Sequence, residues 1–242
     1  SRTTRISQEK RPAPWSKGKT KETDNGIRKI SETFKRKHIN NFANWRKEKI
    51  ASGEIKTEYP PFEKTGNLAI LIGLVLGDGH IAVFPRTERL EITLGTDKPK
   101  LIDFALQLVE KVFLKTPKKR KDKYARCVKV GVYERFISKR LDIPTGNRRH
   151  STNGIPKWIW RKREYLIGCL KGLFESEGSL SIHLPTYTYN FAFANRNEKL
   201  LDDVRRALTV FGLHPEVRTT AIRIRRKHEV KYLQELISFR KY

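Results

Sequence analysis

Two stretches of the sequence each end an apolar run on a carboxylate. Residues 71–81 read LIGLVLGDGHI, with Asp78 near the end, and residues 170–180 read LKGLFESEGSL, with Glu177 in the matching place. A carboxylate at the C-terminal end of a helix faces the negative end of the helix dipole, which costs about 0.3–1 kcal/mol. A purely structural role would favour Lys or Asn there, so the repeated acid indicates a chemical function.

Small residues recur at helical spacing in both stretches. Gly73 and Gly77 share one helix face, and Gly172 and Ser176 share the corresponding face of the second helix. Such a stripe lets two helix backbones approach closely. If the helices pair about a pseudo-twofold axis, both acids emerge side by side. Two carboxylates and free helix-end carbonyls suit Mg²⁺, and paired metal ions can hold a scissile phosphate and activate water.

The elements that must position these residues follow one order twice. The first repeat is predicted as a helix capped by Asn67 and ending at Asp78, strands 81–84 and 90–94, a helix 98–113, a basic loop 117–123, a strand 126–132 and a helix ending near 141. The second is predicted as a helix to 177, strands 180–184 and 187–193, a helix 198–211, a strand 221–225 and a helix to 239. Gly79 and Gly178 are expected in the left-handed conformation that ends many helices. The repeat predicts an α+β fold of two αββαββα halves.

Composition divides the chain into four segments. Residues 1–66 are basic and hold too few apolar residues for a core, so we expect a largely extended arm and linker, either disordered or folded onto a partner, with a short helix near 26–36. Residues 67–141 and 163–242 are the two halves, and residues 142–162, with two prolines and two glycines, form the linker between them.

The net charge points to a polyanion. The chain carries 52 Lys and Arg against 26 Asp and Glu, a formal charge of +26. Such an excess is costly in self-repulsion and is typical of nucleic-acid binding. A basic surface that only aids solubility is a poorer explanation, because acidic residues serve solubility better. A membrane-surface protein is the main competitor, but no long amphipathic Lys-rich helix is predicted.

The sequence also predicts a compartment. The apolar stretch 68–76 is too short to cross a bilayer, and residues 1–15 lack the apolar core of a signal peptide. Cys127 and Cys169 are isolated, which favours free thiols over a metal knot. We therefore expect an intracellular, reducing compartment, either a bacterial or phage-host cytoplasm or an organelle matrix, and not secretion.

The paired stretches resemble the signature helices of the LAGLIDADG homing endonucleases in their monomeric, two-motif form, and the resemblance covers about 67–242. It implies two antiparallel sheets that form a saddle on DNA. It also implies a Mg²⁺-dependent endonuclease that cuts both strands of a long site, leaves a staggered break and promotes the mobility of its intron. Asp78 and Glu177 would bind the metal, with the carbonyls of Gly77 and Ser176 as further ligands. Mn²⁺ or Ca²⁺ can occupy the same site.

Many members of that family carry a basic residue near each acid. By resemblance the nearest candidate in the first half is Arg148, with Lys157 as a weaker one, and Lys241 is the equivalent in the second half. An Arg would stabilise developing phosphate charge but would be a poor proton shuttle. These residues could equally be phosphate clamps.

Strand alternation separates a core face from an outward face in each predicted sheet. Inward packing is predicted for Ile81, Val83, Leu90, Ile92, Leu94, Val128, Val130, Leu180, Ile182, Tyr189, Phe191, Ile222 and Ile224. DNA contacts are predicted for the alternating set His80, Arg89, Glu91, Thr93, Lys129, Ser181, His183, Thr188, Asn190, Arg223 and Arg225. The major groove is wide enough for such strands. An ordinary solvated sheet face is the alternative.

Residues 15–38, WSKGKTKETDNGIRKISETFKRKH, resemble the nuclease-associated modular DNA-binding motif found beside intron-encoded nucleases. The resemblance implies contacts along the duplex, in the minor groove, where Lys and Arg contacts are common. The candidate contacts are Lys17, Lys19, Arg28 and Lys29. The alternative is a disordered basic tail that has no defined binding site on DNA.

Two classes of function fit these observations. The first is a monomeric, site-specific endonuclease that acts on double-stranded DNA and does not bind a membrane. The second is a binding module, either an RNA maturase that folds intron RNA or a DNA-binding regulator on the same scaffold. A binding module does not need both acids, so the retention of Asp78 and Glu177 favours the endonuclease.

Overall fold

The computed structural model describes residues 14–147 and 153–242. The chain forms two compact units, Ser1–Glu58 and Tyr59–Tyr242. The sequence places the end of the linker at residue 66, whereas the larger unit already begins at residue 59.

Residues 60–62, just after this boundary, pack against later residues of the larger unit. The Phe62 ring meets the Phe113 ring edge-on, with centroids 4.9 Å apart. The Arg140 guanidinium lies 3.7 Å from the Phe62 centroid, and its Nε donates to the Pro60 carbonyl at 2.8 Å. Aromatic and cation–π contacts therefore hold the segment that the sequence predicts as linker.

From residue 14 onward, the smaller unit contains two helices, α1 (Asn25–Arg36) and α2 (Asn41–Ala51). The side chain of Asp24 caps α1 by accepting from the Ile27 N–H at 3.1 Å, and Asn40 caps α2 in the same way. The predicted short helix is confirmed as α1. The prediction of a largely extended arm is wrong for the described part, because Asn40 starts a second helix.

The larger unit repeats one order of elements. The first repeat contains α3 (Gly66–Asp78), β1 (Gly79–Phe84), β2 (Thr87–Gly95), α4 (Pro99–Phe113), β3 (Lys118–Lys121), β4 (Cys127–Glu134) and α5 (Ile137–Leu141). The second contains α6 (Arg163–Glu177), β5 (Gly178–His183), β6 (Thr188–Ala194), α7 (Glu198–Val210), β7 (Glu216–Arg218), β8 (Ala221–Ile224) and α8 (Lys227–Leu236). The predicted α+β fold of two αββαββα halves is confirmed.

Each half builds one four-stranded antiparallel sheet. The strand orders are β1-β2-β4-β3 and β5-β6-β8-β7, so the two sheets have the same topology. Gly79 faces Ile92 at the start of β1, and Gly178 faces Phe193 at the start of β5. The first strand of each sheet thus continues directly from a helix that ends in an acid.

The helix α3 is apolar on all sides and lies in the core. Leu71, Ile72, Leu74 and Val75 have no exposed surface, because α3 packs on α6 as well as on β1, β2 and α4. Its N-cap is Thr65, whose Oγ1 accepts from the Leu68 N–H at 3.2 Å, and not the predicted Asn67. Core packing on several sides fixes the direction in which the end of α3 points.

Most of the predicted inward residues are buried, Leu180 is half-buried, and two are exposed. Val83 is 64% exposed and Ile182 is 45% exposed, because each lies beside the turn of its hairpin, where Val83 faces Glu88. The predicted basic loop 117–123 contains β3, a strand of four exposed Lys and Arg residues at the sheet edge. Basic side chains commonly keep an edge strand from pairing with other chains.

Two further expectations concern the thiols and the membrane. Both cysteines are free, Cys169 is buried, and burial raises the pKa of its thiol. Among the described residues, no helix combines the length and apolarity that crossing a membrane requires.

Candidate functional site

The two acid-bearing helices touch through their glycines. A Cβ on Gly73 would lie 2.2 Å from the Cys169 carbonyl oxygen, and a Cβ on Gly172 would lie 2.1 Å from the Ile70 carbonyl oxygen. Neither position has room for a side chain. The predicted pairing of the small-residue stripes is therefore confirmed.

The close contact extends to the ends of both helices. A Cβ on Gly77 would lie 2.0 Å from Ser176 Oγ and 3.2 Å from Glu177 Cγ. Asp78 follows Gly77 directly, and its charge acts on Glu177. The structure thus brings Asp78 and Glu177 together at the joint end of α3 and α6.

The glycine after each acid has a steric role. Gly79 has φ −90° and ψ 153°, and Gly178 has φ −78° and ψ 135°, so the predicted left-handed conformation is wrong. A Cβ on Gly79 would lie 2.5 Å from Val75 Cα, and one on Gly178 would lie 2.1 Å from the Phe174 carbonyl oxygen. Glycine therefore lets the chain turn from helix into strand without a loop.

Both carboxyl groups have raised pKa values. Burial raises the pKa of Asp78, and the positive charge of Lys98 opposes this effect. Burial also raises the pKa of Glu177, the charge of Asp78 raises it further, and Lys98 again opposes. In the part of the chain that the structure describes, neither carboxylate has a hydrogen bond or ion pair. The pair therefore carries negative charge that nearby protein groups compensate little.

Lys98 is a site residue that the sequence predictions missed. It is half-buried at the N-cap position of α4, and its charge acts on both acids. The corresponding N-cap of α7 is Asn197, whose Oδ1 accepts from the Leu200 N–H at 3.0 Å. The sequence feature that could have identified it is a basic residue directly before Pro99, between a strand and a helix. This feature occurs only in the first half.

The structure describes two of the three basic residues that the resemblance suggests as catalytic candidates. Arg148 lies outside the described residues. Lys157 and Lys241 are exposed and do not line the cleft beside the acids. The Lys241 carbonyl accepts from Lys171 Nζ at 3.2 Å, which places this residue in the C-terminal segment against α6. The structure therefore does not place Lys241 as the basic partner of Glu177.

The donor set at the helix ends fits a hard divalent cation. No group of three or more His, Cys, Asp or Glu side chains that could hold a metal is present in residues 14–147 and 153–242. The last carbonyls of a helix lack an intrahelical donor, so the carbonyls of Gly77 and Ser176 can add to the two carboxylates. The Ser176 hydroxyl donates to the Leu173 carbonyl at 2.9 Å within its own helix, so the carbonyl of Ser176, and not its side chain, is the candidate ligand. Oxygen donors of this kind suit Mg²⁺, Mn²⁺ and Ca²⁺.

An open cleft of about 680 Å³ lies beside the acids. Its lining combines both helix ends, the start of β1 and loops of the second half. The lining residues are Leu76, Gly77, Gly79, His80, Gly146, Asn147, Asn153, Glu177, Ala194, Asn195, Arg196, Asn197, Leu200 and Thr220. Glu177 thus lines a cleft that a substrate group could enter, and Asp78 lies between two of the lining residues, Gly77 and Gly79.

The predicted DNA contacts of the first half share one sheet face. His80 faces Glu91, and Thr93 faces Lys129. Glu91 lies at the centre of this face and is paired with Arg89 and with Arg120, each at 2.9 Å. Lys129 is paired with Asp122 at 3.4 Å. The first face is therefore basic but contains a carboxylate that holds two guanidinium groups.

The predicted contacts of the second half also share a face. Ser181 faces Asn190, and His183 faces Thr188. Arg223 faces Ala192, and Arg225 follows β8 and is exposed. This face has no acid at the centre of its middle strand, so the two sheets present different chemistry.

The predicted contacts of the smaller unit lie before and within α1. Lys19 is paired with Asp24 at 3.0 Å and lies 5.4 Å from the Trp15 ring centroid. Arg28 donates to Asn25 Oδ1 at 2.9 Å. Lys17 and Lys29 are exposed.

Comparison with known proteins gives one family and one fold. The model of a LAGLIDADG-like domain matches residues 65–142 and 164–241. Solved structures of mesophilic variants of the homing endonuclease I-DmoI align with TM-score 0.51 and 18% identity, covering 71% of this chain and 94% of that chain. The complex of I-DmoI with DNA and Mn aligns with TM-score 0.50 and 16% identity, covering 73% and 98%. At this identity the likeness concerns the fold.

A curated relative is much longer than this chain. The tRNA-splicing ligase RtcB of Pyrococcus furiosus is 29% identical over 202 residues, which is 72% of this chain and 20% of the relative. The chain thus spans about a fifth of the length of that protein.

Proposed function

Because the chain belongs to the LAGLIDADG-like domain family, we propose that it is a divalent-metal-dependent endonuclease acting on double-stranded DNA. The observation that carries the proposal is the abutment of the two helix ends at Gly77 and Ser176, which brings Asp78 close enough for its charge to raise the pKa of Glu177. The fold shared with I-DmoI, which has been solved with DNA and Mn, supports a nucleic-acid substrate and a metal.

The energetics of the acid pair favour a bound cation. Burial, mutual repulsion and the helix dipoles all disfavour two ionised carboxylates at this place. Among the described residues, only the positive charge of Lys98 lowers the pKa values of the two carboxyl groups. A divalent cation would neutralise both acids, and its ligands would be the oxygens of Asp78 and Glu177 with the carbonyls of Gly77 and Ser176.

The proposed reaction is hydrolysis of a phosphodiester bond in each strand. A water oxygen bonds to phosphorus, the bond to the leaving sugar oxygen breaks, one proton leaves the water and one reaches the leaving oxygen. The cation, when bound, supplies Lewis-acid stabilisation of the phosphate charge. Lys98 would hold a proton at Nζ beside this phosphate and donate it as a hydrogen bond to a phosphate oxygen.

The rest of the molecule would hold the substrate. The outward faces of the two sheets would contact base edges and phosphates, and the smaller unit would add phosphate contacts through its basic residues. Each half supplies one acid, so one chain is enough to cut both strands. We propose a staggered break at a long site as the product, with mobility of an intron as its consequence.

The test begins with a pool of randomised DNA duplexes bound in Ca²⁺. Selected duplexes are cloned into a supercoiled plasmid and incubated with Mg²⁺ or Mn²⁺. We expect linear product from wild type and none from Asp78→Asn or Glu177→Gln, with binding retained in both variants. A wild type that binds but leaves both strands intact, or variants that cut equally well, would contradict the proposal.

Metal binding gives a readout independent of cleavage. Titration of Mn²⁺ followed by electron paramagnetic resonance should detect binding to wild type that the Asp78→Asn, Glu177→Gln double variant lacks. Equal Mn²⁺ binding by both proteins would rule out the acid pair as the metal site.

A further inference from the structure

Three buried polar atoms lack a hydrogen-bond partner among the described residues. They are Arg89 Nε, Asn190 Oδ1 and Arg223 Nε. Buried polar groups are almost always paired, and leaving one unpaired costs about 1–3 kcal/mol. All three belong to the outward faces of the two sheets, where no core packing explains the loss.

Two of these residues occupy equivalent places in the two halves. The strands β1 and β5 both begin at the glycine that follows the acid. The fourth residue of β1, Ala82, faces Arg89, and the fourth residue of β5, Ser181, faces Asn190. The pseudo-symmetry of the molecule therefore relates Arg89 to Asn190.

The two side chains match different bases. An Arg fork pairs with O6 and N7 of guanine, and an Asn amide pairs with N6 and N7 of adenine. We propose that Arg89 and Asn190 are the base-specifying residues of the two sheets, reading guanine in one half of the target and adenine at the matching place in the other. This inference rests on the proposed function, because it requires DNA on these faces.

Arg89 is folded along its sheet in the free protein. Its terminal nitrogens contact Glu91 Oε2 at 2.9 Å and the Tyr133 hydroxyl at 3.3 Å, and its guanidinium lies 5.4 Å from the Phe84 ring centroid. This position closes off Nε. Rotation toward a base edge would give Nε access to a partner, and Glu91 would keep its pair with Arg120.

Asn190 is held in a similar resting state. Its Oδ1 is buried without a donor, although adenine recognition needs this oxygen to accept from N6 and the amide nitrogen to donate to N7. Arg223 on the adjacent strand carries its own unpaired Nε. The cost of the resting state is thus recovered when the amide turns outward, which favours the DNA-bound rotamer.

The consequence is a target that is asymmetric at one matched pair of positions. A protein with nearly twofold symmetry would favour a palindromic DNA site. Reading guanine in one half-site and adenine at the equivalent position of the other makes the site non-palindromic there. The residues that differ between the halves therefore define the orientation of the protein on its site.

The experiment selects bound duplexes from a randomised pool in Ca²⁺, where wild type is compared with Arg89→Gln and Asn190→Asp. Gln pairs with adenine and a carboxylate accepts from cytosine N4. We expect Arg89→Gln to change guanine to adenine at one position only, and Asn190→Asp to change adenine to cytosine at the other only. Each change should alter base preference by about 5- to 150-fold.

Matched variants separate readout from charge and folding. Arg205→Gln removes the same charge from α7, where Arg205 pairs with Asp202 at 2.7 Å, and should leave the consensus unchanged. Arg89→Met and Asn190→Leu retain side-chain volume without hydrogen bonding, and each should abolish the preference at its own position. Melting temperatures identify any variant that fails to fold. In that case the other variant at the same position tests the base assignment.

The outcomes distinguish the two proposals. A wild-type consensus that neither Arg89 nor Asn190 variants change would overturn this inference and leave the endonuclease proposal standing. Variants that change both positions together would also overturn it, because each residue is assigned one base. If wild type enriches no sequence at all, the inference and the proposed DNA function are both wrong.

Discussion

We expect Glu177 to destabilise the metal-free protein at neutral pH, because burial and the charge of Asp78 raise its pKa in the folded state. The folded-state pKa values of Asp78 and Glu177 are raised, so the native state binds protons more readily than the unfolded chain, and stability falls as pH rises through that range. With EDTA at neutral pH, Glu177→Gln should be more stable by about 0.3–1 kcal/mol, a rise of about 1–4 °C in melting temperature.

The pH dependence provides the decisive comparison. Below the ordinary pKa of a carboxyl group, wild type is protonated in both states and the gap should close. Glu235→Gln, which replaces an exposed acid on α8, should stay within about 0.5 kcal/mol of wild type at every pH. A wild type that is more stable than Glu177→Gln at neutral pH without metal would mean that the acids have compensating partners.

Lys98 should have the opposite effect on stability. Its charge lowers both carboxyl pKa values, so Lys98→Gln with EDTA at neutral pH should lose about 0.5–1 kcal/mol. Cleavage by this variant should fall about 100-fold or more if Lys98 acts on the phosphate. Lys98→Arg is the matched control, since it retains charge and stability while replacing the ammonium with a poorer proton donor. A Lys98→Gln variant that cuts at the wild-type rate would remove Lys98 from the mechanism.

The acid pair could be predicted from the sequence, but its basic partner could not. Asp78 and Glu177 stand in two copies of one pattern, and the small residues beside them indicate that the helices touch. Lys98 belongs to no repeat, because the second half has Asn197 at the corresponding N-cap. Its proximity to the acids depends on how the turn after β2 folds back, which spacing does not encode.

At the scale of elements, the helix pair tolerates no added volume. A Cβ on Gly172 would meet the Ile70 carbonyl oxygen at 2.1 Å and the Leu74 nitrogen at 2.6 Å, both backbone atoms. Gly172→Ala should therefore cost about 2–3 kcal/mol, as over-packing does in a dense core, and should separate the acids enough to weaken Mn²⁺ binding. Urea unfolding and Mn²⁺ titration measure the two effects.

Gly66→Ala is the matched control for this change. Gly66 lies in the first turn of the partner helix α3, and a Cβ there would have no atom within 4 Å. Since Ala is a better helix former than Gly, this variant should be unchanged or more stable by up to about 1 kcal/mol. If both substitutions destabilise the protein equally, the crossing of α3 and α6 is not the cause.

The order of elements was predictable where periodicity determines it, and local details were not. The helices and strands of both halves follow their apolar patterns, whereas Val83 and Ile182 share the apolar parity but lie at exposed hairpin ends. Gly79 and Gly178 are needed for space rather than for a left-handed turn. Such details depend on which neighbour the chain meets, and one sequence does not contain that information in its spacing.

At the scale of the whole molecule, net charge predicts the partner class but not the contacts. Under the proposed function, the formal charge of +26 predicts that DNA binding weakens steeply with salt, since each phosphate contact releases counterions. Acidic partners already hold some of the basic residues, as Asp24 holds Lys19 and Glu91 holds Arg89. We therefore expect fewer phosphate contacts than the net charge, and the salt dependence of DNA binding measures their number.

The exposed lysines of the smaller unit offer the sharpest test of that count. Lys17 and Lys29 are exposed and lie in the unit proposed to follow the duplex, while Lys100 and Lys111 are exposed on α4, the helix that packs on the core side of the first sheet. If Lys17 and Lys29 both contact phosphates, replacing them with Gln should reduce the slope of log K against log salt by about 2. The Lys100→Gln, Lys111→Gln variant has the same net charge and should keep the wild-type slope, as measured by fluorescence anisotropy on one selected duplex. An equal reduction in both variants would make the effect one of overall charge, and no reduction in either would mean that the smaller unit does not contact the DNA backbone through these lysines.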